Sequence, residues 1–195
     1  WTEQTEDERE GCLNVVLEPG LAFGTGEHPT TRLCLSWLRD NADAFRGKTV
    51  LDFGTGSGVL AIGALLMGAK RACGVDMEAQ SVDAAKRNAA LNGVEANRFS
   101  LFLADGSEGG GALPPGRAAG EEKFDAVVAN ILVGPVLSLA PLFAQYCAPG
   151  GRVCLSGVLT TQTPDVLAAY EPFFTDMTVR EENGWAVVDG TRLRN

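Results

Sequence analysis

The residues with the most chemical content lie in Val50-Leu51-Asp52-Phe53-Gly54-Thr55-Gly56-Ser57-Gly58, a short apolar run that enters a glycine-rich turn and opens an Ala/Leu-rich segment. Glycines permit a tight turn and let a ligand approach the backbone, while the amides at a helix start favour a negative group. Asp76 follows Gly54 by 22 positions, at the end of the next apolar run, where a carboxylate can accept hydrogen bonds from both hydroxyls of a ribose. The glycines at 54, 56 and 58 do not follow the G-x-G-x-x-G spacing of dinucleotide folds, and the Lys-Ser/Thr pair of a phosphate-binding loop is absent. With Asp52 ahead of the turn, the pattern suits a ligand with an amino group better than one with a pyrophosphate.

Asn130 closes the apolar run Phe124 to Ala129. It could cap a following helix, but ligand crevices of open sheets lie at the C-terminal ends of strands, which favours a site role. His28, the single histidine, stands before Pro29 and reads either as a loop residue making ordinary hydrogen bonds or as a group that orients or deprotonates a substrate. Cys12, Cys34, Cys73, Cys147 and Cys154 are odd in number and widely spaced, and read as reduced core residues. Neither Cys-x-x-Cys nor clustered histidines occur, so no metal is expected. Trp37 and Trp185 read as packing residues.

These groups need elements to hold them. Strands are expected at Thr49–Phe53, Arg71–Asp76, Phe99–Ala104, Phe124–Ala129, Gly151–Val158, Met177–Glu182 and Trp185–Asp189. Helices are expected at Val59–Met67, at Glu78–Leu91 with its stop at Asn92-Gly93, at Leu137–Cys147, and at Pro164–Tyr170 behind a Thr163 cap. Asn183-Gly184 is a hairpin signal, and Ala148-Pro149-Gly150-Gly151 a turn. Strands that alternate with crossover helices form a parallel sheet covered on both faces, so the fold class is α/β: a Rossmann-like doubly wound sheet of seven strands, mostly parallel, with a C-terminal antiparallel hairpin. Residues 106–122, with Gly-Gly-Gly and Pro-Pro, read as a flexible insertion dispensable for catalysis.

Composition sets the outer bounds. The chain of 195 residues is 45% apolar and 21% charged, which fits one globular domain. No stretch reaches the roughly 18 apolar residues of a membrane helix, and the acidic start is unlike a signal peptide. An intracellular, cytoplasmic monomer is expected, or an organellar one in a eukaryote. A net charge of −9 repels phosphate backbones, so neither nucleic acid nor membrane is expected as a direct partner.

The acidic-x-Gly-x-Gly-x-Gly run followed by Asp76 resembles the class I S-adenosylmethionine methyltransferases. In that class the loop holds the methionine moiety, an acid after the second strand holds the ribose, and an acid after the third, here Asp105, lies near the adenine. Two further segments, Leu17 to Thr31 (LEPGLAFGTGEHPTT) and Val127 to Pro135 (VVANILVGP), with Gly150-Gly151 to Gly157, are similar to the signatures of the PrmA family, the methyltransferases of ribosomal large-subunit protein eleven. The resemblance implies S-adenosylmethionine as cofactor and lysine amines of a protein, foremost a ribosomal protein, as acceptor. It places Thr31, Asp52, Gly54, Gly56, Asp76, Asp105 and Asn130 on the cofactor, with Asn130 also orienting the amine.

Related enzymes methylate an electron-transfer flavoprotein subunit, and a non-catalytic binding module would share the fold. Many amino-group methyltransferases carry Asn/Asp-Pro-Pro-Tyr/Phe where this chain has Asn130-Ile131-Leu132. The family also carries an N-terminal recognition domain. The expected division is therefore a linker or remnant at residues 1–16 and a catalytic domain at 17–195.

Overall fold

The computed structural model describes residues 13–18, 26–104 and 123–194. Asp105, the insertion at 106–122, Cys12 and residues 19–25 of the long signature lie outside the described residues.

Helices α1 (Pro29–Asp40) and α2 (Ala42–Phe45) precede β1 (Thr49–Phe53), α3 (Val59–Leu66), β2 (Arg71–Asp76), α4 (Ala79–Leu91) and β3 (Phe99–Leu103). There follow β4 (Phe124–Asn130), α5 (Val133–Ser138), α6 (Ala140–Tyr146), β5 (Cys147–Leu159), a short 3-10 turn, α7 (Thr163–Tyr170), β6 (Phe174–Glu182) and β7 (Trp185–Arg192). The seven strands form one sheet in the order β3-β2-β1-β4-β5-β7-β6. Strands β3 to β5 pair in parallel, whereas β7 runs antiparallel to both its neighbours, β5 and β6. The terminal hairpin thus inserts its second strand inside its first. The order reverses at β1, which lies between β2 and β4, and a crevice opens at the carboxyl ends of strands on either side of such a point.

The near-continuous apolar strands are buried because helices cover both faces. One core packs Leu33, Trp37, Phe45, Ile62 and Ala85 of α1 to α4 against the sheet. The other packs Val136, Phe143, Val166 and Tyr170 of α5 to α7 against the opposite face. Cys34, Cys73, Cys147 and Cys154 are free and buried in these cores, as expected of reduced cysteines. Trp37 is buried there too. Residues 13–18 lie along α4, where Asn92 bonds both the N–H and the carbonyl of Val16 at 2.8 and 2.7 Å.

Several expected elements differ from the observed ones. The expected helix Leu137–Cys147 is two helices that begin at Val133 and meet at Leu139, with Pro141 in the first turn of the second; proline cannot donate into a continuing helix. Strand β5 starts at Cys147, and the Ala148–Gly151 turn is an excursion between its pairings Phe124↔Cys147 and Ala126↔Arg152. Thr163 is the first residue of α7, not its cap. Helix α1 was not expected, although Pro29 in its first turn and Arg39 in its last are ordinary helix signals. Asn183 and Gly184 have φ of 51° and 81°, the left-handed pair that a two-residue hairpin loop requires.

Candidate cofactor and acceptor site

Asp76 ends β2 with its carboxylate fixed by two main-chain donors: Gly56 N–H reaches Oδ2 at 2.9 Å and Glu78 N–H reaches Oδ1 at 3.0 Å. Each carboxylate oxygen accepts more than one hydrogen bond, so capacity remains for a ligand diol. Beside it, the glycine turn crosses from β1 to α3 with Gly54, Gly56 and Gly58 all at positive φ. The reasons for glycine differ. A Cβ on Gly58 would stand 3.0 Å from that of Ala85, so this glycine lets α3 approach α4. A Cβ on Gly54 would stand 2.3 Å from Ile131 Cγ2. Gly54 therefore also has a packing reason to lack a side chain: a residue at β4's exit fills the space a Cβ would take.

Asp52 is buried beneath this turn. Its Oδ2 accepts from Thr55 Oγ1 at 2.8 Å and from Ala61 N–H at 3.1 Å, which ties strand, loop and helix together. Its Oδ1 has no partner among the described residues. Burial raises its pKa from 3.8 to about 6; the Thr55 and Ala61 bonds oppose the rise and the Asp76 charge adds to it.

Asn130 ends β4, one strand away from β1. Its Nδ2 lies 3.4 Å from Oγ1 of the buried Thr31, a contact between α1 and this strand end, and its Oδ1 is buried without a partner among the described residues. Ile131 N–H donates to Ser156 O at 3.1 Å. A Cβ on Gly157, which has φ of 82°, would stand 2.1 Å from the Ile131 carbonyl oxygen. The β5–β7 register shifts between Leu155 and Val158, so Ser156-Gly157 forms a bulge on which the Ile131 peptide rests. A continuous line of contacts therefore runs from Asp76 through Gly56 and Gly54 to Ile131, Asn130 and Thr31.

His28 caps α1: its Nδ1 lies 2.8 Å from Thr30 Oγ1 and 3.4 Å from Thr30 N. Its ring meets Trp185 edge-on, with centroids 4.8 Å apart. Among the described residues no three His, Cys, Asp or Glu side chains group as metal ligands, and no helix is long and apolar enough to cross a membrane. Sequence reasoning passed over Met77 and Leu103, which stand 71% and 49% exposed at the ends of β2 and β3 next to Asp76. It also passed over the Ile131 wedge. An apolar residue directly after the ribose-type acid was the available signal for Met77; nothing local in the sequence marks the wedge, because its partners come from β1 and β5.

The family model described as ribosomal protein L11 methyltransferase (PrmA) matches residues 1–193. A ribosomal protein L11 methyltransferase of Azotobacter vinelandii is 48% identical over 183 residues, 93% of this chain and 58% of its own length. One from Teredinibacter turnerae is 44% identical over 181 residues, 93% and 56% respectively. The chain thus spans a little under three fifths of these relatives. Among solved structures, a ribosomal protein L11 methylase from Lactobacillus delbrueckii subsp. bulgaricus aligns at TM-score 0.73 and 33% identity, covering 92% of this chain and 85% of that one. A T. Thermophilus 16S rRNA N2 G1207 methyltransferase in complex with AdoMet and guanosine, at TM-score 0.66 and 22% identity, shares the fold, over 88% of this chain and 45% of that one. The fold is that of the class I methyltransferases, and the chain belongs to the ribosomal protein L11 methyltransferase (PrmA) family.

Proposed function

We propose that this chain carries the catalytic site of an S-adenosylmethionine-dependent protein methyltransferase that acts on lysine amines of ribosomal protein L11. The residues present suit that cofactor. Asp76 offers a fixed carboxylate for a ribose diol, Met77 and Leu103 offer bare apolar surface for a flat base, and Asn130 holds a buried acceptor with no donor among the described residues. Asp76, Gly54, Gly56, Thr31 and Asn130 are the residues we assign to holding it, with Asp52 supporting the loop from beneath. Asp105, assigned to the adenine side by resemblance, remains part of the proposal. When bound, S-adenosylmethionine supplies a methyl group activated on a sulfonium.

The chain's own contribution is orientation. An amine placed in line with the methyl needs its N–H groups held, and the unpartnered Asn130 Oδ1 is the observation that carries this reading: a buried acceptor costs free energy until a donor reaches it. The arriving lysine must be neutral, which at an ordinary pKa near 10.4 costs roughly 4 to 5 kcal/mol at pH 7. Exclusion of water beside a cationic sulfonium lowers that cost. The Ile131 peptide, seated on Gly157, fixes where the carboxamide points, and a misplacement of about 1 Å is enough to cost on the order of 100-fold in rate. The names of the relatives favour ribosomal protein L11 over other protein acceptors.

The test is transfer of label from methyl-labelled S-adenosylmethionine to purified L11. Asn130→Ala should lower turnover about 100-fold while cofactor affinity falls much less. An Asn130→Ala chain with wild-type turnover would remove the orienting role.

A further inference from the structure

Seven large apolar residues are exposed among those described, and four of them sit at the carboxyl ends of strands, two on each side of β1: Met77 after β2, Leu103 ending β3, Leu132 after β4 and Leu159 ending β5. The first two flank Asp76 and belong to the cofactor side. Leu132 and Leu159 do not. They leave the sheet beside each other, since β4 and β5 pair as far as Asn130↔Ser156 and the Ile131 peptide rests on Gly157.

Leu132 is 76% exposed, yet it is not slack chain. The residue before it is fixed on three sides, by the Ser156 carbonyl, by Gly157 and by Gly54, and Leu132 itself takes an extended conformation (φ −60°, ψ 150°) as the cap of α5. A leucine held rigidly in water two residues from Asn130 gains by being covered. Leu159, 40% exposed, is held by its N–H to Gln162 Oε1 at 2.9 Å and by pairing with Trp185, whose ring packs on His28. On the Leu159 side lie acids: Glu182 pairs with Trp185 across the hairpin and is ion-paired with Arg32, Glu181 precedes it at the end of β6, and Glu27, whose carbonyl also accepts from Arg32, stands at the start of α1. An apolar pair with an acidic margin fits a group that is aliphatic along its length and cationic around it.

We propose that Leu132 and Leu159 are the lips of the acceptor subsite, and that they cover the four-carbon stem of a lysine presented on an extended, basic segment of the protein substrate. This rests on the function proposed above and adds to it the residues that select the acceptor. Asn130 holds the amine end; the lips hold the alkyl stem; the margin attracts the neighbouring cations. Long amphipathic side chains bury the stem and leave the head polar, which is the division the two groups of residues offer.

The experiment uses the 195-residue chain, purified L11 as probe, and two separate calorimetric titrations, one with S-adenosylmethionine and one with L11 in the presence of S-adenosylhomocysteine. Leu132→Ser and Leu159→Ser, both surface changes that remove no core contact, should each weaken L11 binding about ten-fold, the loss expected when roughly half a leucine side chain stays in water. They should leave cofactor affinity within two-fold. Leu91→Ser, an exposed leucine at the far end of α4, should change neither. Where transfer is measured, KM for L11 should rise in the two lip variants with kcat changed less. Unaltered L11 affinity in both lip variants overturns the proposal, and so does a wild-type chain that binds S-adenosylmethionine but no L11. A chain that binds no S-adenosylmethionine at all fails the underlying function instead.

Discussion

Asp76 and Asn130 occupy matching places, each the last residue of a strand next to β1, yet the chain treats them differently. Both oxygens of Asp76 are engaged by backbone N–H groups of the glycine turn and of the following loop. Among the described residues Asn130 has one 3.4 Å contact through its nitrogen and none through its oxygen, and beyond it Leu132 stands exposed. The β2 side has its polar anchor fixed before any ligand arrives, as suits a site that takes the same small molecule every time. The β4 side is left with an unmet acceptor and bare apolar surface. Such groups raise the free energy of the isolated chain and lower it again only when a partner arrives. A fixed anchor and an unmet acceptor are thus divided between the strand ends on the two sides of β1.

The largest effect that tests this division is expected at Asp76. Asp76→Ala removes the acceptor for two main-chain donors and for a ribose diol, and hydrogen bonds to a charged group contribute about 1.5 to 3 kcal/mol each. Affinity for S-adenosylmethionine should fall at least 30-fold, about 2 kcal/mol, in a chain that still folds. Asp76→Asn, which keeps one acceptor oxygen, should lose less. Calorimetry that finds Asp76→Ala unchanged would show that the β2 side is not the preorganised one.

The two sides were not equally legible in the sequence. The glycine turn, Asp76 and the strands that carry them are local patterns in which neighbours in sequence are neighbours in space, and Thr49–Phe53 and Arg71–Asp76 fall where periodicity puts them. The acceptor side is assembled from segments far apart. Ile131 touches Gly54 and Gly157, and Asn130 touches Thr31, separations that no window of sequence contains. Asn130 stands out in the sequence only because it ends a strand, and His28 reads there in two ways, since its position as the cap of α1 depends on a helix that the run Pro29 to Asp40 marks only at its ends. The split of the expected helix after Ser138 shows the same limit: apolar residues continue through the break, and Ala140 and Phe143, buried in the second core, belong to a new helix whose first turn holds the exposed Pro141.

A smaller effect sharpens the account of the β1 turn. Asp52 lies under the preorganised side with one oxygen paired and one not, and its pKa is raised to about 6 by burial. A carboxyl raised in the folded state contributes its full stability below its unfolded value near 3.8 and loses it as pH climbs through about 6. Asp52→Asn does not titrate and still presents an oxygen to Thr55 and Ala61. The unfolding free energy of Asp52→Asn minus that of the parent chain should therefore grow by on the order of 1 to 2 kcal/mol between pH 5 and pH 7.5. Urea unfolding at the two pH values measures it. A constant difference would mean that Asp52 is solvated from the ligand crevice, and that this side is less complete than its hydrogen bonds indicate.

The smallest effect concerns His28 and asks whether the acceptor side holds anything beyond orienting groups. His28 starts α1, the helix that brings Thr31 to Asn130, and it links that helix to the hairpin through Trp185. If its work is to cap and pack, His28→Ala should cost about 1 kcal/mol of stability, the usual loss when a capping side chain is removed. His28→Asn, a strong capping residue without the ring, should recover roughly half of that. In both variants turnover per folded molecule should stay within about three-fold, because a cap acts on the population of folded helix and not on the transfer itself. A His28→Asn chain that is as stable as the parent but transfers methyl groups ten-fold more slowly would give the opposite answer. The imidazole would then take part in handling the acceptor's proton, and the side of the site that is open to its partner would contain a reactive group as well as a place to dock.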